Sequence, residues 1–303
     1  MMQRVVLIIF SVLSSYFSLA QQDPMFTQYM FNTQAINPAY AGSRDALSIV
    51  GISRWQWLGI DGAPTTQSLT AHMPVLDNLG VGASLYYDKI GPTKQVLFFG
   101  DLAYKLQLSR EGTLAFGLKL GIHSINNDLG SLEGVEDQEG FTSTTSGILP
   151  NVGAGAYYYQ ERFYFGISAP KLIENSITTT EAKQVRHYFA IAGYVLDVSK
   201  YVKFKPSVLL RYVQSAPLTA DASANFLFWD KLWLGANYRT RDALGMIVQF
   251  QLTSKLRFGY AYEYPLTSIN QAIDSPIAAT HELMLGFDLP VGSRTRFRSI
   301  RYF

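Results

Sequence analysis

The chain has 303 residues, a formal net charge of +2 and no Cys. So small a charge gives no sign of a nucleic-acid partner, and the lack of thiols excludes disulfides, thiolate metal sites and a cysteine nucleophile. Tyr and Phe occur 19 times each and Gly 24 times, which favours β-strands, whereas a mean hydropathy of +0.06 is too low for a bundle of transmembrane helices. The length fits two soluble domains or one closed sheet, and the composition favours the sheet.

The N-terminus has the pattern of a secretory signal peptide. Arg4 precedes an apolar run from Val5 to Leu13, and the small residues Ser18 and Ala20 frame a cleavage site before a polar stretch. An uncleaved membrane anchor is the alternative, but the apolar run is too short to cross a bilayer. We therefore predict that residues 1–20 are removed on export and, because amphipathic strands follow, that the mature protein is integral to a bacterial outer membrane.

Residues 21–44 form an irregular segment in which Pro24, Pro38 and Gly42 stand among aromatic side chains. Proline and glycine interrupt regular structure, so we expect a short helix and a turn. Since the segment precedes the first strand, we predict that it lies against or inside the barrel, where it is a possible plug.

Apolar and polar residues alternate in short segments from residue 45 to residue 289, which is typical of strands with one apolar and one polar face. We count about fourteen such segments, an even number, as single-chain bacterial barrels require when both ends lie in the periplasm. The predicted fold is all-β, a transmembrane antiparallel β-barrel. The segments begin near Ala46, Thr65, Leu79, Lys94, Thr113, Ile148, Arg162, Gln184, Tyr201, Leu218, Lys231, Ala243, Lys255 and Thr280.

Two segments, residues 113–123 and 256–264, show the alternation most clearly. Their apolar faces are predicted to contact lipid, and their mixed faces are predicted to line the lumen. The residues predicted to face lipid are Leu114, Phe116, Leu118, Leu120 and Ile122 in the first segment and Leu256, Phe258, Tyr260, Tyr262 and Tyr264 in the second.

Residues 224–239 are predicted to be a β-hairpin with a tight turn at Asp230 and Lys231. Trp229 and Trp233 flank this turn at the rim of the barrel, and the alternation assigns both of them to the inward phase. The lipid-facing residues are predicted to be Phe226, Phe228, Leu232 and Leu234, and the lumenal residues Asn225, Asn237 and Arg239.

Connection lengths provide a second test, because outer-membrane barrels have short periplasmic turns and longer external loops. The predicted connections roughly alternate in length in this way. The chain lacks the internal repeats that a β-propeller would need. A secreted β-sandwich is the structural alternative. The predicted short connections are Pro74–Asn78, Ser109–Gly112, Gln160–Glu161, Asp197–Lys200, Asp230–Lys231 and Thr253–Ser254, and the long ones are Asp128–Gly147, Pro170–Lys183 and Pro265–Ala279.

The polar residues show no arrangement that points to catalysis, and there is no G-x-S-x-G elbow. The four His residues lack metal-ligand spacing, and the acidic loop 133–139 lacks that of a calcium loop. We expect neither metal nor cofactor, and we expect each His on the polar face of a strand. The paired glycines of two G-x-G pieces are interpreted as small lumenal residues that admit bulky neighbours or let the barrel bend. The residues concerned are His72, His123, His187 and His281, and Gly80, Gly82, Gly153 and Gly155.

Charges of both signs occupy predicted lumenal positions, and they must either pair across the interior or meet water. The sequence leaves open a plugged barrel or a pore. Residues 290–303 form a basic and aromatic tail that contacts a partner or lipid phosphates, or folds against the barrel. The lumenal charges are Asp101, Lys105, Lys119, Lys203, Lys205, Arg211, Asp221, Arg257, Glu263, Glu282 and Asp288.

The mature chain resembles, over nearly its whole length, the PorP/SprF family of outer-membrane proteins linked to the type IX secretion system of Bacteroidetes. Many separate segments carry the resemblance, in order along the chain. They are QQDPMFTQYMFN, INPAYAGS, RWQWLGIDGAPTTQ, DKIGPT, RHYFAIAGY, FKPSVLLRYV, NFLFWDKLWLGANYRTRDALG, RFGYAYEY, THELMLGFDL and the closing RYF. Two positions depart from the family pattern: Arg241 stands where Gly is frequent, and Ile300 where Pro is common.

The resemblance implies a barrel that is not an enzyme. It implies export or surface anchoring of specific cargo, such as the adhesins of gliding motility, and partners in outer-membrane lipid, the periplasmic secretion machinery and the cargo. The N-terminal segment and tail are expected to face the machinery. A transporter or porin for small or hydrophobic solutes is the alternative. Motif positions without an assigned role are Asn37, Pro38, Tyr40, Gly42, Trp55, Trp57, Asp61, Gly62, Pro64, Trp229, Asp230, Lys231 and Trp233.

Overall fold

The structure, a computed structural model, describes residues 25–128, 145–174, 185–214, 216–267, 269 and 279–291. The predicted signal peptide 1–20, the acidic loop 133–139 and the tail beyond residue 291 lie outside the described residues.

The described residues form one closed antiparallel sheet. Each strand pairs with its neighbours along the chain, β15 pairs with β1, and β10 pairs with β11, so no edge is left open. Strands β8 and β9 both pair with β10 and are two parts of one wall strand, interrupted at Val195. The wall therefore has fourteen strands. The bounds are β1 (Ala46–Trp55), β2 (Thr65–Leu76), β3 (Leu79–Ile90), β4 (Thr93–Gln107), β5 (Thr113–Asn127), β6 (Thr145–Tyr159), β7 (Phe163–Ala169), β8 (His187–Tyr194), β9 (Leu196–Ser199), β10 (Val202–Val213), β11 (Thr219–Phe228), β12 (Leu232–Arg239), β13 (Ala243–Gln251), β14 (Leu256–Pro265) and β15 (Thr280–Pro290).

The predicted strand starts agree closely with these bounds. Those at Ala46, Thr65, Leu79, Thr113, Ala243 and Thr280 coincide, and the other described starts differ by one to three residues. The predicted start at Gln184 lies outside the described residues.

The wall has an apolar outer surface and a polar inner one, which is the reverse of a soluble protein. On β5, Leu118 is 59% exposed and Leu120 63% exposed, whereas Lys119 between them is 1% exposed. The faces predicted for β5 and β14 are confirmed. An apolar belt around a polar lumen is the pattern of a barrel that spans a membrane. Among the described residues, no helix is long and apolar enough to cross a bilayer.

The barrel interior contains the irregular N-terminal segment, as predicted. Residues 25–44 include three short 3-10 helices, Tyr29–Phe31, Thr33–Ala35 and Pro38–Tyr40. Every side chain from residue 25 to residue 44 is buried except those of Met25 and Ala35, which are half-buried. We call residues 25–44 the plug.

The two mouths of the barrel differ in their connections. One mouth has only short connections, which are residues 77–78, 108–112, 160–162, 200–201, 229–231 and 252–255. By the loop-length rule this is the periplasmic mouth, and the opposite one is the outer mouth. The first plug residues contact Glu282 and Arg54 near the outer mouth. The plug thus begins near the outer mouth and lies inside the barrel, and a contact between the N-terminal segment and the periplasmic machinery stays a prediction.

The hairpin turn between β11 and β12 differs from the prediction. Its central residues are Trp229 and Asp230, both with positive φ (49° and 54°), and the Lys231 amide donates to the Phe228 carbonyl at 2.9 Å. Two left-handed residues are typical of a type I′ turn. Because Trp229 belongs to the turn and not to the strand, its predicted inward phase is wrong, and it is 65% exposed. Trp233 does point inward.

The histidines follow the prediction with one exception. His72, His123 and His187 are buried on the inner face. His281 lies in the outward phase of β15, where its Nδ1 is 2.7 Å from the Tyr260 hydroxyl. The Tyr260 hydroxyl on β14 thus gives the imidazole a hydrogen-bond partner outside the lumen.

Candidate functional site

The plug is fixed near the outer mouth by one buried carboxylate. Glu282 accepts hydrogen bonds from the backbone amides of Thr27 (2.9 Å) and Gln28 (3.0 Å). Arg54 donates from Nη1 to the same carboxylate at 3.3 Å and to the Thr27 hydroxyl at 3.0 Å. A carboxylate buried to this degree needs charged and hydrogen-bonded partners, and here the plug backbone supplies two of them.

This anchor belongs to a larger network of buried charges. Glu263 pairs with both Arg54 and Arg239, and Arg239 Nε donates to Asp221 at 2.8 Å. The network joins β1, β11, β12, β14 and β15, which lie on one side of the barrel wall. These charges therefore pair with one another inside the barrel, as one of the two outcomes expected from the sequence, but between adjacent or next-but-one strands and not across the lumen.

Tyr29 extends the contact between the plug and this network. Its hydroxyl donates to the Asp221 carbonyl at 3.3 Å and lies 3.2 Å from the Ser223 hydroxyl. Burial raises the pKa of Tyr29 to about 12, so the phenol is neutral at physiological pH and keeps its proton for donation.

The middle of the plug is held by side-chain amides. Gln34 Nε2 donates to Asp101 at 2.9 Å and to the Ala71 carbonyl at 3.1 Å. Lys119 lies 2.8 Å from the other oxygen of Asp101, so this carboxylate joins the plug to β4 and β5. Gln34 and Asp101 thus provide each other with a buried hydrogen-bond partner between plug and wall.

Asn37 connects the plug to the opposite wall. Its Oδ1 accepts from the Ala39 amide at 3.0 Å and caps the last 3-10 helix. Its Nδ2 donates to the carbonyls of Ala156 (3.0 Å) and Ile167 (3.3 Å) on β6 and β7. One side chain thereby shapes the plug and attaches it to the wall.

Wall glycines let the plug approach the sheet closely. A Cβ at Gly117 would overlap the backbone of Pro38 and Ala39, and one at Gly80 would overlap Ala41. The interpretation of the G-x-G pieces as lumenal residues that admit bulky neighbours is confirmed. Gly82 faces Gln34, Gly155 faces Asn37, and Gly153 faces Pro170.

The plug ends near the periplasmic mouth at a second charged cluster. Arg44 donates to Asp288 at 3.0 Å and to the Tyr40 hydroxyl at 3.2 Å, and Arg257 reaches the same Asp288 at 3.1 Å. Gly42 has φ +66° and donates its amide to His72 Nδ1 at 3.1 Å. The chain needs glycine here because the backbone turns toward β1 in a left-handed conformation.

The connection from β1 to β2 forms an ordered loop at the outer mouth. The Gln56 amide donates to the Pro64 carbonyl, and the Gly91 amide to the Gly62 carbonyl, each at 2.9 Å. The Leu58 amide donates to the Ala279 carbonyl at 3.0 Å. The loop is thus tied to β15 and to the neighbouring hairpin.

The motif positions of unknown role occupy three places. Asn37, Pro38, Tyr40 and Gly42 lie in the plug. Trp55, Trp57, Asp61, Gly62 and Pro64 belong to the outer-mouth loop or its flanking strand. Trp229, Asp230 and Lys231 form the periplasmic turn, whereas Trp233 reaches inward to Phe31 (ring centroids 5.7 Å apart). The structure therefore brings the first group and Trp233 together with lumenal residues.

Arg54 and Gln34 also fix the plug, and neither was predicted from the sequence to do so. Arg54 had a detectable signal, because it shares the inward phase of β1 with Ser48. Gln34 had none, because a contact with Asp101 requires the plug to be placed in three dimensions. In the described part of the chain, no group of three or more His, Asp or Glu residues is placed to hold a metal ion.

A profile of the family described as type IX secretion system membrane protein PorP/SprF matches residues 18–287. The chain belongs to the PorP/SprF family. The match includes the whole plug and the wall strands up to β15, which are the two parts that the hydrogen bonds above join. Family membership implies a membrane component associated with type IX secretion.

Solved structures of outer-membrane barrels resemble the chain weakly. The toluene transporter TbuX of Ralstonia pickettii is 9% identical, with a TM-score of 0.49, 84% of this chain covered and 92% of that one. The Acinetobacter baumannii outer membrane protein Omp33 is 9% identical, with a TM-score of 0.45, 81% of this chain covered and 98% of that one. No curated protein matches. The assignment of a PorP/SprF barrel rests on the profile and on the strand pairing.

Proposed function

We propose that this PorP/SprF protein is an outer-membrane accessory component of type IX secretion that supports the export or surface anchoring of a specific cargo, such as an adhesin. It reaches the membrane through a cleaved signal peptide. It acts by binding and not by catalysis, and its partners are the cargo, the periplasmic secretion components and the surrounding lipid.

The observation that carries the proposal is family membership over residues 18–287, combined with a lumen occupied by the plug. A barrel whose interior is filled by its own chain suits a scaffold for partners at its mouths. The ordered loop of residues 56–64 supplies a fixed surface at the outer mouth, where an exported cargo emerges.

Deletion of the gene is expected to abolish surface display of one cargo protein while outer-membrane permeability to a small dye stays unchanged. Display is measured by labelling intact cells, followed by mass spectrometry of the labelled proteins. An unchanged set of surface proteins in the deletion strain would contradict the proposal. A general rise in dye entry would point to a barrier defect instead.

A point variant makes the test specific to the outer-mouth loop. Leu58 is 43% exposed in this loop, and we expect Leu58→Ser to lower cargo display several-fold at equal barrel abundance. The matched control is Leu218→Ser, an exposed leucine just before β11 at the same mouth but on another part of the rim. Equal display in the two variants would exclude the loop as the cargo contact.

The alternative, a porin for small solutes, needs a path through the lumen. The plug donates hydrogen bonds to the wall at several depths between the mouths, at Glu282, Asp101, Ala156 and His72. No observation favours conduction through so many contacts.

A further inference from the structure

Two lysines lie side by side on the lipid-facing rim of the outer mouth. Lys89 in β3 and Lys94 in β4 are directly opposite each other in the strand ladder. Both side chains are exposed and belong to the outward phase of their strands, which they share with Tyr87 and Val96 one step deeper in the belt. Directly opposed residues have Cβ atoms about 4.5–5.5 Å apart. The two ammonium groups therefore project from one small area of the barrel surface.

Neither lysine has a carboxylate partner in the structure. In the stretches of chain that the structure describes, Lys89 and Lys94 form no ion pair and no side-chain hydrogen bond. Asp88, the acidic residue next to Lys89, points into the lumen and accepts from the Thr66 hydroxyl at 2.6 Å. Like charges directly opposite each other destabilise a strand pair. A bound anion would remove this repulsion.

The backbone that carries the two lysines is held on both sides. The turn between them contains only Gly91 and Pro92. The Gly91 amide donates to the Gly62 carbonyl at 2.9 Å, and the Asp128 amide donates to the Pro92 carbonyl at 3.3 Å. These contacts and the strand ladder keep the two lysine positions together before a ligand binds, which lowers the entropic cost of binding.

Polar side chains stand beside the lysine pair, and an apolar belt lies below it. Hydroxyl and amide groups on the neighbouring strands can donate hydrogen bonds to phosphate or sugar oxygens. Deeper in the membrane, the same four strands present exposed apolar side chains to acyl chains. The surface therefore matches a molecule with a phosphorylated, hydroxyl-rich head and apolar tails. The polar residues are Thr65, Gln67, Ser124 and Asn126, and the apolar ones below them are Leu69, Leu85, Phe98 and Ile122.

An aromatic girdle indicates the height of the lysine pair in the membrane. On five other strands the outward residue at the outer rim is aromatic, which is typical of the level where a barrel meets the lipid headgroups. Lys89 and Lys94 belong to the same rim, since each is one residue from the end of its strand. Arg186, an exposed cation at the same mouth, already has a partner in Glu174 at 3.5 Å. The aromatic residues are Trp55, Tyr188, Tyr212, Tyr238 and Tyr264.

We propose that Lys89 and Lys94 bind the phosphate groups of a phosphorylated glycolipid in the outer leaflet, with its acyl chains on the apolar belt below. A lipid is the occupant because both lysines point sideways into the membrane and not toward the axis of the mouth, and because the apolar surface continues directly beneath them. The proposal depends on the position of the barrel in an outer membrane and not on the proposed role in secretion.

Native mass spectrometry of the folded full-length barrel in a mild detergent tests the site. The probes are diphosphoryl lipid A and the same lipid with both phosphates removed, at equal concentration. We expect about tenfold higher occupancy by the phosphorylated lipid, because it makes two charge-assisted contacts that the other lacks. Equal occupancy would overturn the proposal. Inorganic phosphate at the concentration of the lipid is expected to leave the lipid bound, and displacement by it would show a site for free phosphate instead.

Substitutions of the lysines separate the site from general partitioning of lipid into the detergent belt. The double variant Lys89→Gln with Lys94→Gln is expected to lose the tenfold preference, whereas Lys89→Arg with Lys94→Arg is expected to keep it, since guanidinium groups also bind phosphate. Arg186→Gln is the matched control, an exposed cation at the same mouth, and should keep the preference. A preference that survives in the folded glutamine variant, as judged by its heat-dependent gel shift, would refute the site.

An acidic segment of the cargo is the other anion that these lysines could meet, and cargo display on cells distinguishes it. Display is expected to be normal in the double glutamine variant. Unchanged lipid binding together with reduced display would assign the lysines to the cargo and overturn the lipid site. Lost lipid binding with normal display would support the lipid site and leave the secretion proposal intact, so the two proposals fail separately.

Discussion

Some single residues in the turns have a strained backbone conformation that their side chains do not offset. Arg241, in the connection from β12 to β13, has φ 60° and an exposed side chain. The left-handed conformation costs a residue with a Cβ about 1–2 kcal/mol. Gly is the residue that this conformation favours.

Arg241→Gly is therefore expected to stabilise the barrel by about 0.5–1 kcal/mol, the relief of strain less the greater freedom of Gly in the unfolded chain. The measurement is the urea midpoint of unfolding in detergent. Arg110→Gly is the matched control, because Arg110 lies in an exposed turn without positive φ and should show no gain. Equal shifts in both variants would refute the strain argument.

Glu282 provides a test of how much one buried charge contributes to the free energy of unfolding. Glu282→Gln keeps the shape of the side chain but leaves Arg54 with only Glu263 as a buried anionic partner. We expect a loss of about 3 kcal/mol in the free energy of unfolding, since removing one partner leaves a buried charge poorly compensated. Glu111→Gln, at an exposed turn, should change stability by less than about 0.5 kcal/mol. A similar small effect at both positions would show that the network contributes little.

At the scale of the element, plug and wall fit each other closely. The plug has no long helix or strand of its own, and its short 3-10 helices would not persist without a surrounding wall. Instead, its backbone amides and side-chain amides donate hydrogen bonds to carboxylates and carbonyls of the barrel wall. Wall glycines such as Gly117 remove the side chains that would hold the plug away.

Gly117→Val is expected to displace the plug, because its side chain would overlap Ala39. Displacement should expose the bond after Arg44 to trypsin, which is detected as an N-terminal fragment by mass spectrometry. Gly100→Val is the control, since the nearest atom to a Cβ there is the Leu120 carbonyl oxygen at 4.0 Å. If both variants resist trypsin as well as the wild type, the close fit at Gly117 does not hold the plug in place.

At the scale of the whole molecule, a wall of fourteen strands is too wide to be filled by its own inward side chains. Eight-stranded barrels can be filled in this way, whereas barrels of sixteen or more strands leave an aqueous channel. The plug fills the space that the inward side chains leave in the lumen. The lumen is therefore a packed interior and not a channel.

The intact protein in planar bilayers is accordingly expected to be electrically silent, and a variant that lacks residues 21–43 is expected to conduct. Both must show the heat-dependent gel shift of a folded barrel before conductance is compared. Steady conductance of the intact protein would contradict a closed lumen and would favour the porin alternative.

The sequence by itself determined the wall. Alternation with period two fixes which residues face lipid, so strand starts, faces and the number of strands followed from local pattern, as β5 and β14 show. The sequence also indicated the family, because many short motif segments match the family pattern in order along the chain.

Only the tertiary structure decided what the lumen contains. Contacts such as Gln34 with Asp101, or Thr27 with Glu282, join residues that are far apart in the chain and leave no periodic signal. The outward position of Trp229 likewise depended on backbone angles in the turn. The reason is physical: a strand's faces follow from its own geometry, whereas burial of an irregular segment depends on partners that folding alone brings together.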